Sequence, residues 1–266
     1  GSYDSLDIKI DFITYASATD RDAAFLSGKL DGMLTDYPGA TLLQAKGSRL
    51  RLVMETDGSL SLIASKKSNV RNPDDLKGKN ISVSGNTFVE YATDEVMKRA
   101  CLHPGEVNKP EINNIPLRLM MLEDGQISAS FLPGPATAIA LNDGHTALLN
   151  TRQMGLRCTG IVFSEKAITE KDEEIRRFIT GYNLGVKYLQ TRPQNEWTEI
   201  LVKEFGLQEK AAMQIDLPDY RPATRPSYHD IEKIIAWLKS KGAIPDYYPG
   251  ENLVDTTFIP GTLKPQ

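Results

Sequence analysis

The chain has 266 residues, enough to bury a substantial core and to form two domains of ordinary size. Hydrophobic residues make up 40% and charged residues 25%, the balance of a globular protein. A net charge of −4, with no stripe of lysine or arginine, argues against a nucleic-acid partner, and no run of about 18 apolar residues is present to span a membrane.

Read in chain order, Leu6–Ile13 alternates apolar and polar residues as a strand does. Thr19 is placed to cap a helix over Arg21–Ser27, with Asp22 as its capping-box partner. Leu30, Gly32 and Leu34 supply one face of a short strand, and Pro38 opens the next helix. Leu50–Glu55 and Leu60–Ser65 read as strands separated by a turn at Asp57-Gly58. Pro73–Leu76 is a helical turn stopped at Gly78, Ile81–Ser84 a strand, and Thr87–Ala100 a helix with Val89, Val96 and Met97 on one side. Glu111–Ile115 is a further strand, Pro116 opens a helix that closes at Gly125, and Ala147–Asn150 and Gly160–Ser164 end the alternating block. The tail is helical. Ile175, Phe178, Ile179, Tyr182, Val186 and Leu189 form one apolar face, Trp197, Ile200, Leu201 and Phe205 a second, and Ile231, Ile234, Ile235 and Leu238 a third. These helices are expected to pack on the first lobe.

One unit is written twice. Ala24–Leu34 with Tyr37-Pro38 repeats as Met121–Phe131 with Gly134-Pro135, at a constant offset (125 − 28 = 97). Gly28 and Gly125 stand where a helix ends in a left-handed residue, which glycine adopts at low cost. Each copy thus reads as helix, glycine stop, strand and proline-opened helix. A strand that ends at a helix start leaves backbone N–H groups at its carboxyl end, where open α/β sheets bind ligands. Two such ends imply two lobes. The strand Ile81–Ser84 and helix Thr87–Ala100 have no first-lobe counterpart, because the offset carries Ile81 to position −16. Either the two lobes are not fully equivalent or, as is the expectation, the first lobe lacks one N-terminal βα unit of roughly 30 residues. That leaves an open strand position beside Leu6–Ile13 and Leu30–Leu34, with edges suited to self-association.

The helix starts carry the candidate binding groups. Ser84, Gly85, Asn86 and Thr87 place short polar side chains where strand passes to helix, an arrangement that suits an anion and equally a plain helix cap. Thr35 and Asp36 hold the matching place in the first lobe, and Leu132, Pro133 and Gly134 the repeated one. Tyr15 and Phe88 are candidates to stack on a ring, or for the core. His103, His145 and His229 have no metal-ligand spacing and read as surface or capping residues. Neither a Gly-x-Ser-x-Gly elbow nor a phosphate-binding Gly-Lys-Ser/Thr occurs, so no catalytic residue is assigned. Cys101 and Cys158 read as buried free thiols; a bridge would need their Cα atoms within about 7 Å.

Three stretches carry a family resemblance. Asn72–Ser84, Gly125–Thr137 and Ser27–Gly32 with Thr35-Asp36 resemble, in the right order, segments of the solute-binding proteins of ABC importers. The group is the nitrate, sulfonate and thiamine-precursor one (SsuA/THI5-like, NMT1); Ala236–Gly242 adds a weaker likeness in the tail. The resemblance implies an α/β, two-lobed type 2 periplasmic-binding clamshell, with residues 1–65 and 164–266 as lobe 1 and 66–163 as lobe 2. Hinges would lie near Ser65-Lys66 and Phe163-Ser164. It implies an exported protein, periplasmic or membrane-anchored outside the cell, that captures a small molecule and hands it to an ABC permease; the absence of metal-ligand spacing adds the expectation of no cofactor. Gly134 stands where the family often has glutamate, which puts the usual substrate class in doubt. The alternatives are a thiamine-pyrimidine-synthase-like enzyme, whose cysteine-rich motif two isolated cysteines do not match, and a ligand-sensing module. Elemental analysis of dialysed protein is expected to show no stoichiometric transition metal.

Overall fold

Prolines and glycines punctuate the chain where the repeat requires them, and the computed structural model shows the elements between. It describes residues 3–213, 215, 217 and 219–259. The first elements are a 3-10 turn (Asp4–Leu6), α1 (Ala18–Leu26), β1 (Gly32–Asp36), α2 (Tyr37–Ala45), β2 (Leu50–Thr56), β3 (Leu60–Ala64) and a second 3-10 turn (Pro73–Leu76). Next come β4 (Ile81–Ser82), α3 (Phe88–Arg99), α4 (Ile115–Asp124), β5 (Ala129–Pro133), α5 (Gly134–Asn142), β6 (Thr146–Asn150) and β7 (Thr159–Ser164). The tail adds α6 (Glu165–Glu170), α7 (Asp172–Thr191), α8 (Gln194–Phe205), α9 (Glu209–Met213) and α10 (Tyr228–Ser240).

Two compact units result. Unit 1 comprises the chain up to Asp57, Cys158–Arg192 and the chain from Asp219 on, and unit 2 comprises Gly58–Arg157 and Pro193–Pro218. Unit 1 holds the sheet β1-β7-β2, antiparallel throughout. Thr159 stands opposite both Asp36 and Thr56, so the carboxyl ends of β1 and β2 share one edge of that sheet. Val53, Met54, Ile161 and Phe163 pack against Ile175 and Ile179 of α7, with Phe178 and Tyr182 at the margin. That is the apolar face expected of this helix. Unit 2 holds the sheet β4-β5-β3-β6, in which β4 runs parallel to β5 and β3 antiparallel to its neighbours. Its core joins Ile63 to Leu122, Ile127, Leu132, Ala136 and Ala140.

The repeat is structural. The offset of 97 carries β1 onto β5 and α2 onto α5 residue for residue. It also carries Ser17, which caps α1, onto Asn114, which caps α4. Gly28 and Gly125 both have φ +76, as the helix stops demand. In each unit the repeated strand pairs with an antiparallel neighbour, β7 or β3. Unit 2 has further positions. β4 lies beside β5, and single parallel bridges join Asn80 to Asn108 and Val83 to Glu111. In unit 1 the corresponding positions, Asp11 and Thr14, pair with no strand among the described residues, and β1 pairs with β7 alone.

Several expectations are corrected. Leu6–Ile13 does not form a strand; after the 3-10 turn it pairs with no strand among the described residues, and a strand exists only through a hydrogen-bonded neighbour. Phe12 is accordingly 70% exposed. Ser17, not Thr19, caps α1, its hydroxyl accepting the Asp20 N–H. The buried face of β1 is Met33 and Thr35, while Leu34 is 59% exposed. Glu111–Ile115 contributes a bridge at Glu111 and then the start of α4, not a strand. The chain passes between units at Asp57/Gly58 and Arg157/Cys158, earlier than 65/66 and 163/164, because β3 bonds to β5 and β6 while β7 bonds to β1 and β2. Helices α8 and α9 belong with unit 2, where α9 meets α5, rather than with the first lobe.

Gly160 lets β7 lie close to β2, since a Cβ there would stand 2.6 Å from both the Met54 carbonyl and Leu52 Cδ1. Gly160→Ala is expected to destabilise unit 1 by about 1–3 kcal/mol through forced strand separation, read as a lower urea midpoint.

Candidate functional site

The carboxyl edge of each sheet collects the polar groups singled out in the sequence. In unit 2, β4 and β5 run side by side in parallel, so Ser84–Thr87 and Leu132–Gly134 follow adjacent strand ends. In unit 1, Thr35 and Asp36 close β1. Tyr15 is half-buried in the irregular stretch before α1.

Local chemistry explains the turn in unit 2. Asn86 is left-handed at φ +55, and its N–H donates to Glu90 Oε2 at 2.8 Å. Thr87 caps α3, its hydroxyl accepting the Val89 N–H and donating to the Ser84 carbonyl. The Ser84 hydroxyl donates to Asn113 Oδ1 at 2.7 Å. The Asn86 and Val89 N–H groups are thus held within the turn. A carboxylate also flanks it. A Cβ on Gly85 would lie 2.8 Å from Glu111 Oε1, so this position admits only glycine while Glu111 keeps its place. Glu90 is buried and lies 3.5 Å from Lys109, which also pairs with Asp94.

Leu132 is fully buried, its side chain in the unit 2 core and its carbonyl accepting the Thr137 hydroxyl. Pro133 precedes α5 without a side-chain cap, and Gly134 is exposed with open space where a Cβ would stand. Phe88 is buried, a core residue rather than an open ring face. His145 is also buried, not a surface residue; its Nδ1 accepts the Lys66 N–H and its Nε2 meets Glu123 Oε2. His103 and His229 are exposed. No cluster of three metal-ligating side chains occurs among the described residues.

Unit 1 brings more groups to its edge than the sequence suggested. Asp36 caps α2 by accepting the Gly39 N–H at 2.7 Å. Thr35 is buried and accepts from Arg21 Nη2 at 2.9 Å. At the end of β2, the buried carboxylates Glu55 and Asp57 are joined by Arg221, whose Nη2 reaches Glu55 at 2.7 Å and whose Nε reaches Asp57 at 2.8 Å. Tyr37 donates to Glu55 Oε2 at 2.9 Å. Burial, and then the Glu55 charge, raise the Tyr37 hydroxyl pKa well above its usual value, so it remains a donor. Arg21 went unrecognised although the repeat signals it, since the offset pairs it with Arg118 of α4. Arg221 left no comparable trace, because its partners lie far back in the chain.

Cys158 is buried, whereas Cys101 is exposed, contrary to expectation, and left-handed at φ +53 just after α3; both are free. Desolvation, with the carboxylates of Asp230, Asp36 and Glu55, raises the Cys158 thiol pKa. A thiol reagent near pH 8 is expected to modify Cys101 alone in native protein and both cysteines after denaturation.

A family model described as NMT1/THI5 like matches residues 1–196. No curated protein sequence is significantly similar to the chain. Among solved structures, a ligand-binding component of an ABC-type import system from Staphylococcus aureus, with zinc bound, superposes with a TM-score of 0.78 at 14% identity, over 97% of this chain and 91% of that one. The alkanesulfonate-binding protein SsuA from Xanthomonas axonopodis pv. citri, bound to MOPS, gives 0.76 at 18% identity over 90% and 84%. The nitrate-binding protein NrtA from Synechocystis PCC 6803 gives 0.77 at 11% identity over 92% and 77%. At such identities the likeness speaks to the fold: α/β, with two sheets, of the type 2 periplasmic-binding kind.

Proposed function

We propose that this chain, which belongs to the NMT1/THI5-like family, is an extracytoplasmic solute-binding protein that captures a small organic molecule and delivers it to an ABC permease. The observation that carries the reading is the family match, joined to a fold shared with binders of alkanesulfonate and nitrate. The proposed contacts are the polar groups at the two carboxyl edges: Thr35 and Asp36 in unit 1, and Ser84, Gly85, Asn86 and Thr87 in unit 2. Tyr15 and the backbone of Leu132, Pro133 and Gly134 complete the set. No helix among the described residues is long and apolar enough to cross a membrane. Among the described residues β1 pairs with β7 alone, which supports self-association through unit 1, tested by sedimentation at rising concentration.

The family also contains THI5-like enzymes, and one experiment separates the two activities. Native mass spectrometry of protein purified without refolding is expected to find one small molecule bound and released unchanged; a chemically altered product would overturn the binding reading. With that molecule in hand, joint Asn86→Ala and Thr87→Ala replacement is expected to weaken affinity about tenfold or more, by leaving its polar groups unmatched. Unchanged affinity, with helix content intact by circular dichroism, would remove the Ser84–Thr87 turn from the site.

A further inference from the structure

Arg118 is a buried cation without a protein counter-charge. It is 2% exposed on α4, and no carboxylate lies within ion-pair distance of it among the described residues. Its Nη1 donates to the Phe131 carbonyl at 3.0 Å and approaches the Ser130 hydroxyl at 3.5 Å, while its Nε–H has no partner. Burial alone pushes its pKa down, to about 10, so it stays charged at neutral pH. An uncompensated charge in a protein interior is costly, and arginine does not escape by releasing its proton as lysine can.

A second orphan shares the place. Ser82 and Ser130 stand opposite each other in the parallel β4–β5 ladder, so their side chains leave the sheet on the same face. The Ser130 hydroxyl is committed to the Ser82 carbonyl, but the fully buried Ser82 hydroxyl has no partner. The repeat sharpens the contrast. Arg21, the unit 1 counterpart of Arg118, carries its own anion in Asp22, bonded at 3.0 and 2.7 Å. The offset carries Asp22 onto Leu119, which is apolar. The next acid along α4, Glu123, is taken by Lys66 and His145.

We propose that unit 2 binds a small monovalent anion of chloride size between α4 and the β4–β5 pair, held by the Arg118 Nε–H and the Ser82 hydroxyl. It supplies in solution the charge that Asp22 supplies in unit 1, and it is independent of the transported solute.

Chloride is the probe, exchanged for gluconate, which is too large for the interior, at constant ionic strength. The thermal midpoint of the wild type is expected to rise saturably with chloride, as for any ligand that binds the native state. The chlorine NMR line should broaden on adding protein. Ser82→Ala, which keeps the cation, is expected to need about tenfold more chloride for the same rise. Arg118→Leu should abolish the dependence; if it does not fold, Ser82→Ala decides alone. A crystal grown in bromide should show anomalous density within hydrogen-bond distance of both groups. A midpoint and line width indifferent to chloride, as a bridging water would give, overturns the proposal. So does a chloride dependence that Ser82→Ala leaves unchanged.

Discussion

The pairing of each repeated strand with an antiparallel neighbour is the interaction on which the rest of each unit depends. β7 lies between β1 and β2, and β3 between β5 and β6, so these two strands fix which ends of their neighbours share an edge. Backbone groups buried in a sheet must find partners, and a register that satisfies them also sets the direction of every side chain. Thr35 and Asp36 reach the same sheet edge as Glu55 and Asp57 through this pairing, with β7 between them, although some twenty residues separate them in the chain. The close contacts at Gly32 and Gly160 belong to the same constraint. A side chain at either position would meet the neighbouring strand before the hydrogen bonds could close.

The two carboxyl edges use the same scaffold with different electrostatics. In unit 1 the charges are matched locally: Arg21 faces Asp22, and Arg221 spans Glu55 and Asp57. In unit 2 Glu90 and Glu111 flank the Ser84–Thr87 turn, while Arg118 is buried beyond the reach of any acid among the described residues. Duplication preserves backbone geometry more strictly than side-chain charge, because the ladder tolerates no slip whereas a helix surface accepts most residues. The two edges can thus share a shape and still differ in the groups they offer a ligand.

Much of the fold was legible in the chain. Proline and glycine act through their own backbone torsions, so Pro38, Pro116 and Pro135 mark helix starts and Gly28 and Gly125 helix stops whatever surrounds them. The apolar stripe of α7 is likewise periodic in sequence. Leu6–Ile13 shows the opposite case. Its alternation is that of a strand, but strand formation needs a partner, and no strand among the described residues pairs with it. The placement of α8 and α9 in unit 2 was equally unreadable, since an amphipathic helix declares which face is apolar and not what it covers.

The same division holds for the candidate site. By itself the sequence determined the turn residues at Ser84–Thr87, the Thr35-Asp36 strand end and the repeat that relates the two units, because these depend on neighbours one to four positions away. Only the tertiary structure decided that the Asn86 N–H is held by Glu90, that Glu111 crowds Gly85, that Arg221 joins Glu55 to Asp57 across more than 160 residues, and that Arg118 meets no carboxylate among the described residues. Coulomb and hydrogen-bond partners are set by distance in space, and chain order carries no record of that distance until the strands have paired.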